Sequence, residues 1–228
     1  MRIITAVLVL ASAVSAAYGG SEGKAPIPLE VPAKWQLAIE VENPKPIHVQ
    51  LAGEDKPTAF WYVLYKVTNR YRDPVTNKPT EQSFAPEFTM YTSTGQLLRA
   101  GKKTRGEVYD AIKKRHQNPL LKDMVSITGK LLFGHDNAKD GVAIWRDFDP
   151  KAGAIDIFIG GLSGETFLIK LPKPVKITRT DSRGKSVTKE TGFLRITKTL
   201  QLSYKVPGEG KARFHMPVKL VKKKWILR

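Results

Sequence analysis

The chain has 228 residues, 41% hydrophobic and 26% charged, and its 38 Lys and Arg outnumber 21 Asp and Glu for a formal net charge of +17. This hydrophobic content is sufficient for a folded core and lies outside the range of disordered chains. The chain contains no Cys, which excludes disulfides, thiol nucleophiles, thiolate-bound zinc and iron–sulfur clusters.

The N-terminus has the features of a secretory signal peptide. Met1-Arg2 gives a short positive start, the apolar run at 3–11 is too short to span a bilayer, and Val14-Ser15-Ala16 offers the small residues that a signal peptidase needs. We therefore expect cleavage of residues 1–16 and export to the periplasm or the cell exterior. Residues 17–34, rich in Gly, Ser and Pro, are predicted to form a flexible leader. Since no later run reaches about 18 apolar residues, we predict no transmembrane anchor.

The first half of the folded part is predicted to consist of strands. Residues 35–41 and 47–51 alternate between apolar and polar side chains, which is typical of half-buried strands. Residues 60–69 are apolar on both faces, which indicates a central strand. Residues 84–91 resume the extended pattern after a polar loop.

One helix is predicted after these strands. Thr104 and Glu107 have the spacing of a capping box, and Val108 and Ile112 follow at helical spacing. Asn118-Pro119 is expected to end the helix.

Further strands are predicted to the end of the chain. The predicted ranges are 124–132, 141–148, 155–160 and 166–179, separated by Gly, Asp and Pro clusters. The last third is predicted to form an antiparallel pair, with Leu194, Ile196, Leu200, Leu202 and Tyr204 on one inward face and Phe214, Met216, Val218 and Leu220 on the other, joined across residues 207–210.

Three stretches carry a resemblance to a known family. The aromatic strand 60–69 ends in Val67-Thr68-Asn69, the segment 86–91 follows after a polar loop, and Gly141 opens the strand 141–145. Together these resemble the immunoglobulin-like β-sandwiches of bacterial exported proteins, over residues 35–171. The resemblance implies a fold, because such sandwiches serve adhesion, binding, assembly and spacing without shared catalytic residues.

The expected architecture is therefore mainly β. We predict an immunoglobulin-like antiparallel β-sandwich with one inserted short helix and a long C-terminal strand pair. Residues 35–172 would form the sandwich body, and residues 173–228 would be basic strands that complete or extend it.

The search for catalytic chemistry yields one region. Asp136, Asp140, Gly141 and Asp147 occupy positions 1, 5, 6 and 12 of a calcium-binding loop, but position 3 is Ala138. We expect a strand-connecting turn there rather than a metal site, and keep Asp136, Asp140 and Asp147 as the candidate metal ligands of an exported metal-dependent hydrolase. The four His residues are too far apart in sequence to share a metal.

A glycine-rich segment at 160–165 lacks the final Gly of a nucleophile elbow, because that position is Glu165. We interpret this segment as a glycine-rich hairpin. The sequence thus predicts no catalytic residue and no cofactor, and the chain is expected to be non-enzymatic.

The positive charge is concentrated at the C-terminus. Residues 173–228 contain 16 basic and 3 acidic residues, a net charge of +13, whereas residues 1–172 carry only +4. Such a surface attracts anionic partners in a salt-dependent way. The candidate polyanion-binding residues are Lys205, Lys211, Arg213, Lys219, Lys222, Lys223 and Lys224, with Trp225 as a packing or stacking partner.

Two functions remain open at this stage. The chain is predicted to be a binding or structural module of the cell envelope or the exterior, and the alternative is a surface protein that binds polyanions through its basic strands. The same Lys residues would also serve as a solvated edge that prevents aggregation. An acidic envelope polymer or another exported protein is the expected partner, and specific nucleic-acid binding is not expected, because export separates the protein from the chromosome.

Overall fold

The computed structural model describes residues 27–28, 35–102, 104–180 and 186–228. In this part of the chain the fold is mainly β with antiparallel sheets, one of which curls into a half-barrel, and one α-helix. The predicted signal peptide at 1–16 and the predicted leader, except residues 27–28, lie outside the described residues.

The elements follow in chain order. They are β1 (Ile27–Pro28), β2 (Ala38–Val41), β3 (Lys45–Val49), β4 (Thr58–Thr68), β5 (Gln82–Phe84), β6 (Glu87–Thr92), β7 (Leu97–Arg99), α1 (Gly106–Arg115), β8 (Gly129–Leu131), β9 (Lys139–Arg146), β10 (Ala154–Gly160), β11 (Thr166–Thr180), β12 (Ser186–Lys205) and β13 (Lys219–Leu227). Two single turns of 3-10 helix lie at His135–Asn137 and Ala212–Phe214.

The smaller sheet is built around β4. One edge of β4 pairs with β9, and its other edge pairs with β3 along its first half and with β2 along its second half. The odd-numbered residues of β4, among them Trp61, enter the main core, and the even-numbered ones, among them Tyr62, enter a second core. The predicted central strand is confirmed, with both of its faces buried.

The larger sheet supplies the other wall of the main core. Its order is β7, β6, β10, β12 and β13, and β12 also pairs with β11. Inward side chains of these strands, such as Met90, Ile157 and Leu202, pack with Trp61 and Trp145 of the smaller sheet. The two sheets therefore enclose one core.

The helix forms a third layer. Val108 and Ile112 are fully buried and pack with Phe60, Tyr62 and Ile144 on the outer side of the smaller sheet. The predicted helix is confirmed, but the capping box is not formed: the N-cap residue is Arg105, and no side chain caps it. The hydroxyl of Thr104 is buried and has no hydrogen-bond partner among the described residues.

Other predicted elements differ from the structure. Only residues 129–131 of the predicted strand 124–132 are extended, because the Asp123 carboxylate accepts hydrogen bonds from the backbone N–H groups of Val125 and Ser126 and holds a turn there. The segment 160–165 is not a hairpin, since β10 and β11 lie in succession along the same strand, β12. Leu162 of this segment is buried in the main core.

The predicted C-terminal pair is present with a longer connection. β12 and β13 are antiparallel, with Tyr204 opposite Leu220. Phe214 lies in a 3-10 turn instead of a strand, and β13 begins only at Lys219. Of the residues predicted to point inward, Leu200, Leu202, Tyr204 and Val218 are buried in the main core, whereas Leu194, Met216 and Leu220 are exposed.

A two-stranded arm extends from the larger sheet. The arm consists of β11 and of residues 186–197 of β12, which pair with each other. Leu168 of β11 also pairs with Ile27 of β1. Residues 172–178 and 186–190 are exposed, so no layer of described residues packs on the outer part of the arm. No helix in the described residues is long and apolar enough to cross a membrane.

We predict that Gly141→Ala destabilises the protein. A Cβ at Gly141 would overlap the ring of Tyr65, which lies directly opposite on β4 and is buried. Overpacking of this kind costs about 1–3 kcal/mol. Urea unfolding measures the loss, and Gly153→Ala, where a Cβ meets open space, should change stability by less than about 0.5 kcal/mol. Equal effects of the two variants would contradict the prediction.

We also predict a pH-dependent contribution from His116, which follows the helix. Burial and the nearby cations Lys45 and Arg115 lower the pKa of His116 below 6.5, and its Nε2 lies 2.8 Å from the Tyr62 hydroxyl. The unfolded chain therefore takes up a proton more readily than the folded one, and stability falls as the pH drops below about 6.5. Thermal unfolding between about pH 7.5 and 5.5 should show a shallower decline in His116→Gln than in the natural chain. An unchanged decline would contradict this assignment.

Candidate anion-binding face

The register of β12 and β13 sorts their side chains into two sides. Leu200, Leu202 and Tyr204 point into the core, so the odd-numbered residues of β12 point outward. Burial raises the pKa of Tyr204 to about 12, which keeps its hydroxyl neutral beneath the sheet. The outward positions of β13 are those paired with odd-numbered residues of β12: Lys219 is opposite Lys205, Lys222 opposite Ser203 and Lys224 opposite Gln201.

We call Lys205, Lys219, Lys222 and Lys224 the basic face. All four are exposed, and within the described part of the chain none of them forms an ion pair. Lys205 and Lys219 stand directly opposite each other, an arrangement of like charges that destabilises a strand pair. The face therefore holds uncompensated positive charge.

The neighbouring strands add a shallow groove to the basic face. It has a volume of about 450 Å³ and is lined by residues that include Tyr91, Asp156, Ser203 and Lys205. Asp156, opposite Ser203 on β10, brings one carboxylate to this side of the sheet.

Arg228 adds a further cation beside the groove. Its guanidinium lies 4.3 Å from the centre of the Phe158 ring, and the Phe158 residue is opposite Gln201. Burial and the nearby Arg99 lower the pKa of Arg228 from its usual value. The outer side of the larger sheet is thus mainly positive.

Two of the predicted residues lie on the other side of the sheet. Lys223 and Trp225 are opposite the inward residues Leu202 and Leu200. Trp225 packs against the main core, and the ammonium of Lys198 lies 5.6 Å from its ring centre. Lys198 is in turn paired with Glu165 at 2.7 Å. Trp225 is therefore a packing residue rather than a stacking platform on the basic face.

Arg213 is also separated from the basic face. It is 1% exposed, and its guanidinium donates to both carboxylate oxygens of Asp147 at 2.6 and 2.7 Å. It also donates to the carbonyl oxygens of Phe148 and Asp149. Both bonds to Asp147 come from one guanidinium nitrogen, Nη2, and these charge-assisted bonds fix the connection between β12 and β13 against the end of β9. Lys211, two residues earlier, is exposed on the same connection.

The three candidate metal ligands are held apart. Asp140 and Asp147 lie at opposite ends of β9. They are seven residues apart in extended chain, which is a distance of roughly 23 Å. Asp140 accepts a hydrogen bond from Asn118 and lies 3.7 Å from the Lys66 ammonium, whereas Asp147 binds Arg213 and the Trp61 indole N–H. Asp136 lies in an exposed 3-10 turn. The described residues contain no group of three or more His, Cys, Asp or Glu that could hold a metal.

The fold and the face define a class of protein rather than an individual one. The class is a mainly β protein with antiparallel sheets, a helix on one side and a row of cations on the other. No protein-family model, curated protein or solved structure matches the chain.

The separation of Arg213 from the other cations could not be predicted. Its partner Asp147 is 66 residues earlier in the chain, and no local pattern distinguishes a buried Arg from an exposed one. The like-charge pair Lys205–Lys219 could also not be predicted without the register of β12 and β13, because the bulge between Ser203 and Tyr204 shifts the pairing.

We predict that Arg213→Ala destabilises the protein by about 2 kcal/mol or more, since it removes the charge-assisted hydrogen bonds that this buried side chain makes to Asp147, whose carboxylate is partly exposed. Lys211→Ala removes the same charge from an exposed site nearby and should change stability by less than about 0.5 kcal/mol. Chemical unfolding of both variants tests this difference. A similar, small effect of both would show that the Arg213–Asp147 pair does not stabilise the fold.

Proposed function

We propose that the chain is an exported, non-enzymatic binding module with an immunoglobulin-like β-sandwich body, and that it binds polyanions through the basic face. Export is supported by the signal-like residues 1–16, and the sandwich by two antiparallel sheets that enclose a core around Trp61 and Trp145. The partner proposed is an acidic polymer of the envelope or the cell exterior.

The observation that carries the proposal is the placement of Lys205 opposite Lys219. Lys on an edge strand discourages edge-to-edge pairing, and this accounts for the cations of β13, which is paired only with β12. It does not account for Lys205, because β12 lies between β10 and β13. An anionic ligand across both strands would relieve the repulsion between the two ammonium groups.

The proposal predicts the effect of a triple substitution in the basic face. Lys219→Gln, Lys222→Gln and Lys224→Gln together should weaken binding to an immobilised sulfated polysaccharide by about tenfold or more and lower the salt dependence of binding, because fewer counterions are released. Affinity measured at several salt concentrations gives both values.

A matched control removes the same charge elsewhere. Lys56, Lys78 and Lys114 are exposed, form no ion pair in the described part of the chain, and lie in two loops and on the helix. Their combined change to Gln should leave binding within about twofold of the natural chain. Equal weakening by both triple variants would show that only the net charge matters and would refute a defined face. A lack of retention at low ionic strength would also refute it.

A further inference from the structure

The cations of the basic face continue onto the arm. β12 runs without interruption from Ser186 to Lys205, so its odd-numbered residues share one side of the sheet. Lys189 and Arg195 lie on that side, and Lys170 joins them because it is opposite Phe193. All three cations are exposed. The row from Lys189 to Lys205 is roughly 50 Å long.

Opposite charges are sorted onto the other side of the same strands. Glu190 is opposite Lys176 on the even-numbered side, and on that side Lys198 binds Glu165. Among the described residues of β11, β12 and β13, the odd-numbered side of β12 and its paired positions carry no carboxylate side chain. This row, which we call the strip, therefore carries cations along its length, with the carboxylate of Asp156 beside it on the neighbouring β10, opposite Ser203.

The shape of the strip selects a flexible ligand. Paired strands twist, most strongly in two-stranded ribbons, and the outer arm is such a ribbon with no layer of described residues packed on it. A planar membrane surface cannot follow a strip that turns over roughly 50 Å, whereas a linear polymer can wind with it.

The side chains between the cations fit carbohydrate. Thr191, Thr197, Gln201 and Ser203 place hydroxyl and amide groups between the charged positions of β12, and these groups hydrogen-bond to sugar hydroxyls. Phe193, 51% exposed, offers an apolar ring to the C–H face of a sugar. Single-stranded nucleic acid is bound on aromatic rings that stack successive bases. Phe193 is the one aromatic residue of β12 on this side, the ring of Phe158 on β10 is stacked by Arg228, and Tyr91 lies on β6, two strands away.

We infer that the ligand of the basic face is an acidic polysaccharide, bound in extended form along the outer side of β12 from Lys205 to the arm cations Lys170, Lys189 and Arg195. This inference rests on the proposed function and names its ligand class. Each added cation contacts a further anionic unit of the same chain, so affinity increases with ligand length until the strip is filled.

The experiment compares two lengths of one acidic oligosaccharide, for example sulfated oligomers about 17 Å and about 50 Å long, which match the spans from Lys219 to Lys224 and from Lys189 to Lys205. The full chain should bind the longer oligomer at least about tenfold more tightly than the shorter one. The variant Lys170→Gln, Lys189→Gln and Arg195→Gln should lose most of this gain and bind the shorter oligomer as the natural chain does. The Lys56, Lys78 and Lys114 variant is the charge-matched control and should retain the gain.

The outcomes separate this inference from the proposed function. The inference is overturned if both oligomers bind equally tightly, or if the arm variant keeps the gain in affinity for the longer oligomer. The proposed function still stands in either case, provided that binding depends on salt and is lost in the basic-face variant. Equal or tighter binding of a thymidine oligonucleotide of the same length, or of vesicles with anionic lipid, would overturn the choice of polysaccharide. If neither oligosaccharide binds at low salt, both proposals fail.

Discussion

The structure depends on the burial of both faces of β4. Its odd-numbered side chains close the main core against the larger sheet, and its even-numbered ones pack under the helix. A chain without disulfides has hydrophobic burial as its main source of stability. Because one strand serves two cores, the helix and both sheets are held together through the same backbone. Among the described residues, no helix or sheet covers the outer side of the larger sheet.

That division explains where the charge can lie. A cation at one of the fully buried positions of β4 or β9 would be costly, and the cations of these strands, Lys66, Lys139 and Arg146, lie at partly or fully exposed positions. The outward positions of β12 and β13 remain in water. The exposed Lys residues occupy these positions, and the buried Arg213 is compensated by Asp147. The basic face and the arm cations Lys170, Lys189 and Arg195 thus place seven of the 38 basic residues on one sheet surface.

Local patterns in the sequence predicted much of the fold. The period-two alternation predicted the β4 strand and the antiparallel pairing of β12 with β13, but not that β13 begins at Lys219. The spacing of Val108 and Ile112 placed the helix. Long-range geometry was not predictable in this way. The bond from Arg213 to Asp147, the succession of β10 and β11 along β12, and the two-sided distribution of cations on β13 depend on pairings between distant segments. The charge pattern predicted that the candidate face lies on the C-terminal strands. Which cations belong to that face depends on the register of β12 and β13.

The contact between the segment just before β2 and the segment between β10 and β11 has a kinetic consequence. The carbonyl oxygen of Trp35 accepts hydrogen bonds from Ser163 and Gly164, and the N–H of Leu37 donates to Leu162. The segment before β2 is therefore paired with residues such as Ser163, which lies 128 positions after Trp35 in the chain. Contacts of such sequence separation slow folding, because a long loop must close before they form. The aromatic strand β4 is made early in synthesis, and its apolar faces stay exposed until β9, β10 and β12 have been made and pack against it. During that interval it is an aggregation hazard, and we expect the nascent chain to depend on a holding chaperone.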